Sequence, residues 1–356
     1  MGLTFGLRPG AQVIANGDPI GAEAMARLSS ITVTDGRGTA ADTLEMVLAD
    51  HDDANPILLP PPGGELEVYL GYDGALVRLG LFVYDEIELG GDPGTVTIRA
   101  RASVYAGTPR GKKDLQSQKS RIWPDGTKLG DLVTKVASEH GMRARISPSL
   151  AGVVLPHITQ DAESDINLLL RLAKKYDATA KPANGMVLFV KIGEAQTVSS
   201  DPLPTITIDR TDCSSWRLTK SLRETDGTVV ATYHDCTTAT RHVVQVGEGD
   251  PVHRIKAGFK NEAEARAAAE AEMARRQRGT QKLNLTLPGH PLVGAEFPLA
   301  LTSFRAGVPV NWVIAKVTHT LTKSRGYTMQ IEAELPNDAD DDAEESDTVS
   351  APALGG

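Results

Sequence analysis

DGTKLGDLVTKVASEHGMRARI at residues 125–146 and SDINLLLRLAKKYDATA at residues 164–180 each spell a helix followed by a strand, and the rest of the chain is read outward from them. In the first, Thr127 is a candidate N-cap. Leu129, Leu132, Val133, Val136 and Ala137 recur at i, i+3, i+4, i+7 and i+8, and Gly141 stops the helix. In the second, Ser164 caps a stripe of Ile166, Leu169, Leu170 and Ala173, with Leu168, Leu172 and Tyr176 alongside it. Lys174 and Lys175 fall in the last turn, where the helix dipole favours cations. Apolar residues on two faces predict that this helix is buried. Residues 144–146 and 153–158 read as short strands around Pro148, and residues 178–181 and 186–192 as a hairpin about Asn184-Gly185. The sum is an α/β module of roughly 70 to 90 residues.

On both sides the pattern turns to β. Residues 12–15, 30–34, 43–48, 65–70, 77–84 and 95–100 alternate or are rich in β-branched side chains, and Gly or Pro clusters separate them. Residues 205–208, 215–219, 228–233, 242–246, 283–287, 296–301, 312–320 and 327–335 do the same after the module. Such series argue sandwiches or barrels. One helix interrupts the second series. Asn261 with Glu264 opens it like a capping box, Arg275, Arg276 and Arg278 crowd its end, Gly279 stops it, and its alanine face predicts close packing on the second barrel. The expected class is α+β, with two antiparallel β-barrel domains flanking a small α/β module. The divisions are 1–106, 107–200, 201–336 and an acidic tail, 337–356, expected to be disordered because it lacks apolar area to offset ordering entropy.

The chain has 356 residues, room for about two to three domains. Its net charge of −9 includes seven acids at 338–347; without them the rest stands at −2. A nearly neutral body lacks the basic face of a sequence-independent nucleic-acid binder, and aromatic residues at 4% disfavour ring stacking on bases or sugars. Arg110, Lys112 and Lys113 in residues 107–118 read as a solvated linker. No secretory leader opens the chain and no apolar run reaches ~18 residues, so a soluble chain made in a cytoplasm, without membrane insertion, is expected. Cys213 and Cys236 could pair, but nothing demands it.

Catalytic chemistry is not spelled out. His51, His140, His157, His234, His242, His253, His290 and His319 form no HExxH or HxH, and no CxxC occurs. Gly36-Arg-Gly38-Thr-Ala-Ala41 matches a loose GxGxxA, but residues 43–48 alternate as a strand and offer no helix N-terminus to a phosphate. His234 and Cys236 share a strand face, an arrangement more often inert than nucleophilic. No catalytic, cofactor-binding or metal-ligating residue is expected, and no turnover on peptidoglycan, nucleotides or esters.

Three stretches together resemble the late control protein D family, the tail or baseplate hub proteins of contractile-tailed phages and related bacteriocins. The first comprises residues 28–35 and 41–50, Pro62-Gly-Gly64 and Gly80-Leu-Phe-Val-Tyr-Asp85. The second comprises Gly126-Thr127, His140-Gly141, residues 160–165 leading into 168–176, and the hairpin through Gly185 and Phe189. The third comprises Gly294-Ala295, residues 314–319 and residues 326–334. The resemblance implies a structural hub similar to the hub half of type VI secretion valine-glycine repeat proteins. It implies a homotrimer with two tube-like β-domains per chain, adapting a sixfold tail tube to a threefold spike. The implied partners are the central spike, the tail tube protein and the tape measure protein, and the implied place is a virion or bacteriocin particle assembled in the host cytoplasm. Two tube-like domains that present equivalent contacts must have similar folds, around a channel lined by polar residues. The rival reading is a peptidoglycan-binding or cell-wall-processing tail protein, since residues 127–150 look faintly like a LysM helix.

Overall fold

The computed structural model describes residues 7–37, 42–52, 54–59, 63–102, 115, 117–183, 186–192, 203–221, 227–235 and 238–336. The alternating runs before residue 103 become β1 (Pro9–Ala15), β2 (Asp18–Pro19), β3 (Leu28–Gly36), β4 (Thr43–Ala49), β5 (Glu65–Tyr72), β6 (Ala75–Gly90) and β7 (Thr95–Ala102), with a short helix α1 (Ala22–Ala26) before β3. The period of two puts Ile31, Val33, Leu44, Met46, Leu66, Val68, Val96 and Ile98 on one face, where they form a single buried cluster. A strip of sheet whose two ends feed one cluster must curl. β3 and β4 pair antiparallel, in line with the strand spacing that argued against a phosphate loop, and residues 38–41 lie outside those described.

The central module contains β8 (Gln118–Trp123), α2 (Leu129–Glu139), β9 (Arg143–Ile146), α3 (Pro148–Ala151), β10 (Ile158–Ser164), α4 (Asp165–Lys175), β11 (Ala178–Ala183) and β12 (Met186–Lys191). The stripes of α2 and α4 enter its core, with Leu129, Leu132, Val133, Val136, Leu168, Leu169 and Leu172 almost fully buried. Ser164 caps α4 by accepting from the Asn167 N–H at 3.3 Å, and Gly141 after α2 has φ 67°, which suits glycine. Three local expectations change. The N-cap of α2 is Lys128, because the Thr127 hydroxyl donates to the Pro124 carbonyl at 2.6 Å instead. Pro148 starts a helical turn rather than lying in a loop between strands, as its fixed φ allows at N1. Residues 153–157 carry only a bridge from Val154 to Lys128, and the strand begins at Ile158. β11 and β12 pair antiparallel, with Asn184 and Gly185 outside the described residues, and β12 also pairs parallel with β9.

The second β-series gives β13 (Ile206–Asp209), β14 (Ser215–Lys220), β15 (Thr228–Asp235), β16 (Thr240–Val246), β17 (Val252–Phe259), α5 (Glu262–Gly279), β18 (Gln281–Pro288), β19 (Pro298–Thr302), β20 (Asn311–Thr322) and β21 (Gly326–Glu334). Here the expectation of a helix on the second barrel is corrected. α5 packs on a separate three-stranded sheet ordered β16-β15-β17, where Ala265, Ala269 and Met273 meet Val229, Ala231 and Val244. Alanine allows that close approach, as expected, but β15–β17 supply the surface. β17 went unread because its outward Arg254 and Lys256 flank only one large apolar residue, Ile255.

The remaining strands repeat the first region. In the first, pairing runs β1-β5-β6-β7-β4-β3; in the second it runs β13-β19-β20-β21-β18-β14, and equivalent strands occur in the same chain order. The long strands each slip register against the next strand once, between Tyr84 and Glu86 in β6 and between Ile314 and Lys316 in β20. The β15–β17/α5 unit is inserted between β14 and β18, the place that residues 37–42 occupy between β3 and β4. The repeats join edge to edge: β3 pairs antiparallel with β20 from Lys316↔Gly36 to Thr322↔Ser30. Thirteen strands thus share one sheet.

Candidate functional site

The joints between these parts are polar. On the core side of the β3–β20 seam His319 is 2% exposed. Its Nε2–H donates to the Val293 carbonyl at 3.1 Å and its Nδ1 accepts from the Tyr327 hydroxyl at 2.9 Å, which describes a neutral ring. Burial pushes its pKa down to about 4, against a weaker upward pull from the Val293 carbonyl. Tyr72 of the first repeat lies 5.5 Å from Tyr327 ring to ring and donates to the Gly289 carbonyl at 3.0 Å. At the far end of the seam Arg37 pairs with Glu296 and Glu334.

Asp35 joins all three parts. Its carboxylate accepts from Lys181 Nζ of the central module at 2.9 Å and from the Ala295 N–H of the second repeat at 2.9 Å. Burial alone would raise its pKa; Lys181 and the Ala295 amide overcome that and hold it below the usual carboxylate range. Asp42, also on Lys181, is pushed up to about 6 by burial and by the charge of Asp35. Inside the central module the fully buried Asp165 accepts from Arg121 at 2.6 Å, Lys119 at 2.7 Å, and Gln160 and His140 at 2.8 Å each. Burial opposes ionisation, but these donors bring its pKa to about 2. Asp177 and Arg278, each 3% exposed, pair at 2.6 Å and tie α5 to the module. Every one of these carboxylates is occupied by a cation of its own fold, which is the chemistry of a joint and not of a general base.

The sequence expected no catalytic or metal site. Among the described residues no group of three or more His, Cys, Asp or Glu could hold a metal. His140 and His319 are buried in the networks above, and His51, His157, His234, His242 and His290 are exposed and scattered. Cys213 is a buried free thiol, and Cys236 lies outside the described residues, as do most of the linker at 107–118 and the whole tail from 337. Among the described residues no helix is long and apolar enough to cross a membrane.

What remains is a surface. The face of the large sheet away from its cores carries Thr32 and Thr34 on β3 opposite Thr320 and Thr318 on β20, flanked by Thr328, Gln330 and Glu332 on β21 and Glu45 on β4. Arg99 on β7 gathers Glu45, Glu86 and Glu88 there. This face is polar and threonine-rich from β18 to β6 because the period of two sends most apolar residues to the other side, Val47 between Ser30 and Thr97 being an exception. Two stretches of backbone edge accompany it. Among the described residues β14 pairs only with β18, and residues 85–90 of β6 pair only with β7, since β5 reaches no further than Val83 and the Gly64 carbonyl takes the Tyr84 N–H. Strand alternation is enough to give each strand a polar side but gives no sign of the edges, which depend on which strands become neighbours.

The chain belongs to the phage tail baseplate hub (GPD) family, whose family model matches residues 85–325. It is similar to a probable baseplate hub protein of Escherichia phage P2, 32% identical over 352 residues, covering 87% of this chain and 88% of that one. Its fold is that of the 43 kDa tail protein of prophage MuSo2 from Shewanella oneidensis, with a TM-score of 0.66 at 15% identity over 92% of this chain and 99% of the other. An E. coli component of the type VI secretion system, which exhibits structural similarity to T4 tail proteins gp27 and gp5, aligns with a TM-score of 0.50 at 12% identity over 87% of this chain and 73% of the other.

Proposed function

We propose that this chain is the structural hub of a contractile particle, three copies of which close into a ring that adapts a sixfold tail tube to a threefold spike. The observation that carries this reading is the repeated strand order with its asymmetric edges. Within one chain β3 covers the second half of β20. The equivalents of those two strands, β14 and β6, are the ones left open. If β14 of one copy pairs with residues 85–90 of the next as β3 pairs with β20, two repeats per chain make three chains a closed ring of six. Aligning the two register slips carries the seam over and sets Thr219 opposite Glu88, with Arg217 one step along the same face. The charges are complementary, because β14 exposes Arg217 and Lys220 while β6 exposes Asp85, Glu86 and Glu88.

In that ring the threonine-rich face forms the channel wall, wet and without apolar patches to hold a passing polymer. The repeats present like surfaces to the tube, and the central module and the α5 unit stand outside the wall. The partners are the spike, the tube protein and the tape measure protein, in a tail or baseplate assembled in the host cytoplasm, and the role is not enzymatic. Mass photometry of the purified complex with its spike tests the stoichiometry. Three copies of each are expected; a stable dimer or hexamer would contradict the reading.

A further inference from the structure

An open groove of about 620 Å³ lies outside the β-repeats, between α4, the edge of β17 and α5. Arg171, Lys174, Lys175, Arg254, Lys256 and Arg275 line it against only two acids, Glu264 and Glu272. Those acids are engaged by Lys175 and Arg275, and Arg171 is held by Glu163 outside the groove. Lys174, Arg254 and Lys256 are exposed and make no ion pair among the described residues. Among the described residues β17 pairs only with β15, so its second edge adds backbone groups without strand partners there to the wall. The groove combines concentrated positive charge with a strand edge in a chain whose net charge is −9. That chemistry recognises an acidic, extended segment.

We propose that the occupant is this chain's own acidic stretch, Asp338 to Asp347, docked along β17. Three observations select it over a partner. The stretch carries seven acids and no base. It leaves the fold beside the groove: Glu334 at the end of β21 pairs with Lys282, three residues beyond Gly279 at the end of α5. From Gly279 back to Arg275 is about 6 Å along the helix at ~1.5 Å per residue. Finally, ten residues extend to about 33 Å and the eight of β17 span about 26 Å, so the lengths match. The segment enters beside Arg275 and His253, passes Arg254 and Lys256, and ends toward Lys175. Its hold is mainly electrostatic, weakening as the Debye length shrinks below the ~10 Å of 0.1 M salt.

The test is hydrogen exchange of residues 252–259 in the full chain and in a chain ending at Pro336. At low salt these amides should exchange about tenfold or more slowly in the full chain. High salt and the triple variant K174E/R254E/K256E should each abolish the difference. A synthetic peptide of residues 336–350 should restore protection to the shortened chain, and the same peptide with every Asp and Glu replaced by its amide should not. The shortened chain should melt within a few degrees of the full one, so loss of protection cannot be ascribed to unfolding. Equal exchange in the two chains, or equal protection by the neutral peptide, would overturn the proposal.

Discussion

The two β-repeats agree in their middles and differ at their ends. Both carry the same order of six strands and a register slip in the long one. They differ in that β1 meets β5 antiparallel whereas β13 meets β19 parallel, and in that only residues 37–42 separate β3 from β4 where a whole sheet-and-helix unit lies between β14 and β18. The most telling difference is at the long strand: β20 is covered by β3 along 316–322, and among the described residues nothing covers residues 85–90 of β6. The shared part makes a wall with one polar and one apolar face. The differences lie where a wall tolerates additions or needs a neighbour.

The largest effect is expected where the insert of the second repeat is tied down. Arg278→Ala leaves Asp177 buried without its cation and should cost about 3–5 kcal/mol in denaturant unfolding. A loss below about 1 kcal/mol would mean that the insert is held by its apolar contacts alone.

Next is the seam, which has no counterpart in the first repeat. The folded pKa of His319 is depressed from 6.5 to about 4, so its contribution is fully present above pH 6.5 and is lost as pH falls toward 4. The span corresponds to up to about 3 kcal/mol. His319→Phe should flatten the stability profile between pH 6.5 and 4, as followed by thermal melting; an unchanged slope would remove His319 as its cause. Gly289→Ala should follow at about 1–3 kcal/mol, since a Cβ there would lie 2.4 Å from the Tyr327 ring. Gly91→Ala, in open space in the first repeat, is the control and should be near neutral in the same denaturant titration.

These networks mark the limit of what the sequence discloses. Helices α2 and α4 are legible because their stripes are local, and β3 to β7 are legible because alternation is local. Local signals also mislead: Thr127 has the chemistry of a cap, but the Pro124 carbonyl captures it. The longer pair near the end of each β-region, residues 77–84 with 95–100 and 312–320 with 327–335, points to the correspondence of β6 with β20, but alternation does not say which other strands pair. Asp35, Lys181 and Ala295 come from three separate parts of the chain, and only the assembled fold brings them within 2.9 Å. The family resemblance carried the functional reading further than any single residue could.

The smallest effect belongs to the wall of the first repeat. Arg99 holds three glutamates, but its side chain is 40% exposed and solvent screens it, so Arg99→Ala should leave the denaturant midpoint almost unchanged. A larger loss would show that the polar face stabilises the monomer as well as lining a channel.

The central claim is that β14 meets β6 of a neighbour as β3 meets β20, and a cross-link tests it most directly. The double variant T219C/E88C, oxidised in the complex with its spike and run without reductant, should give a closed covalent trimer. Each single variant should give no cross-linked trimer, and reductant should return every species to monomer. Efficient trimer assembly with no disulfide at this pair, when the same chain with cysteines in place of Thr34 and Thr318 locks its own seam, would contradict the account.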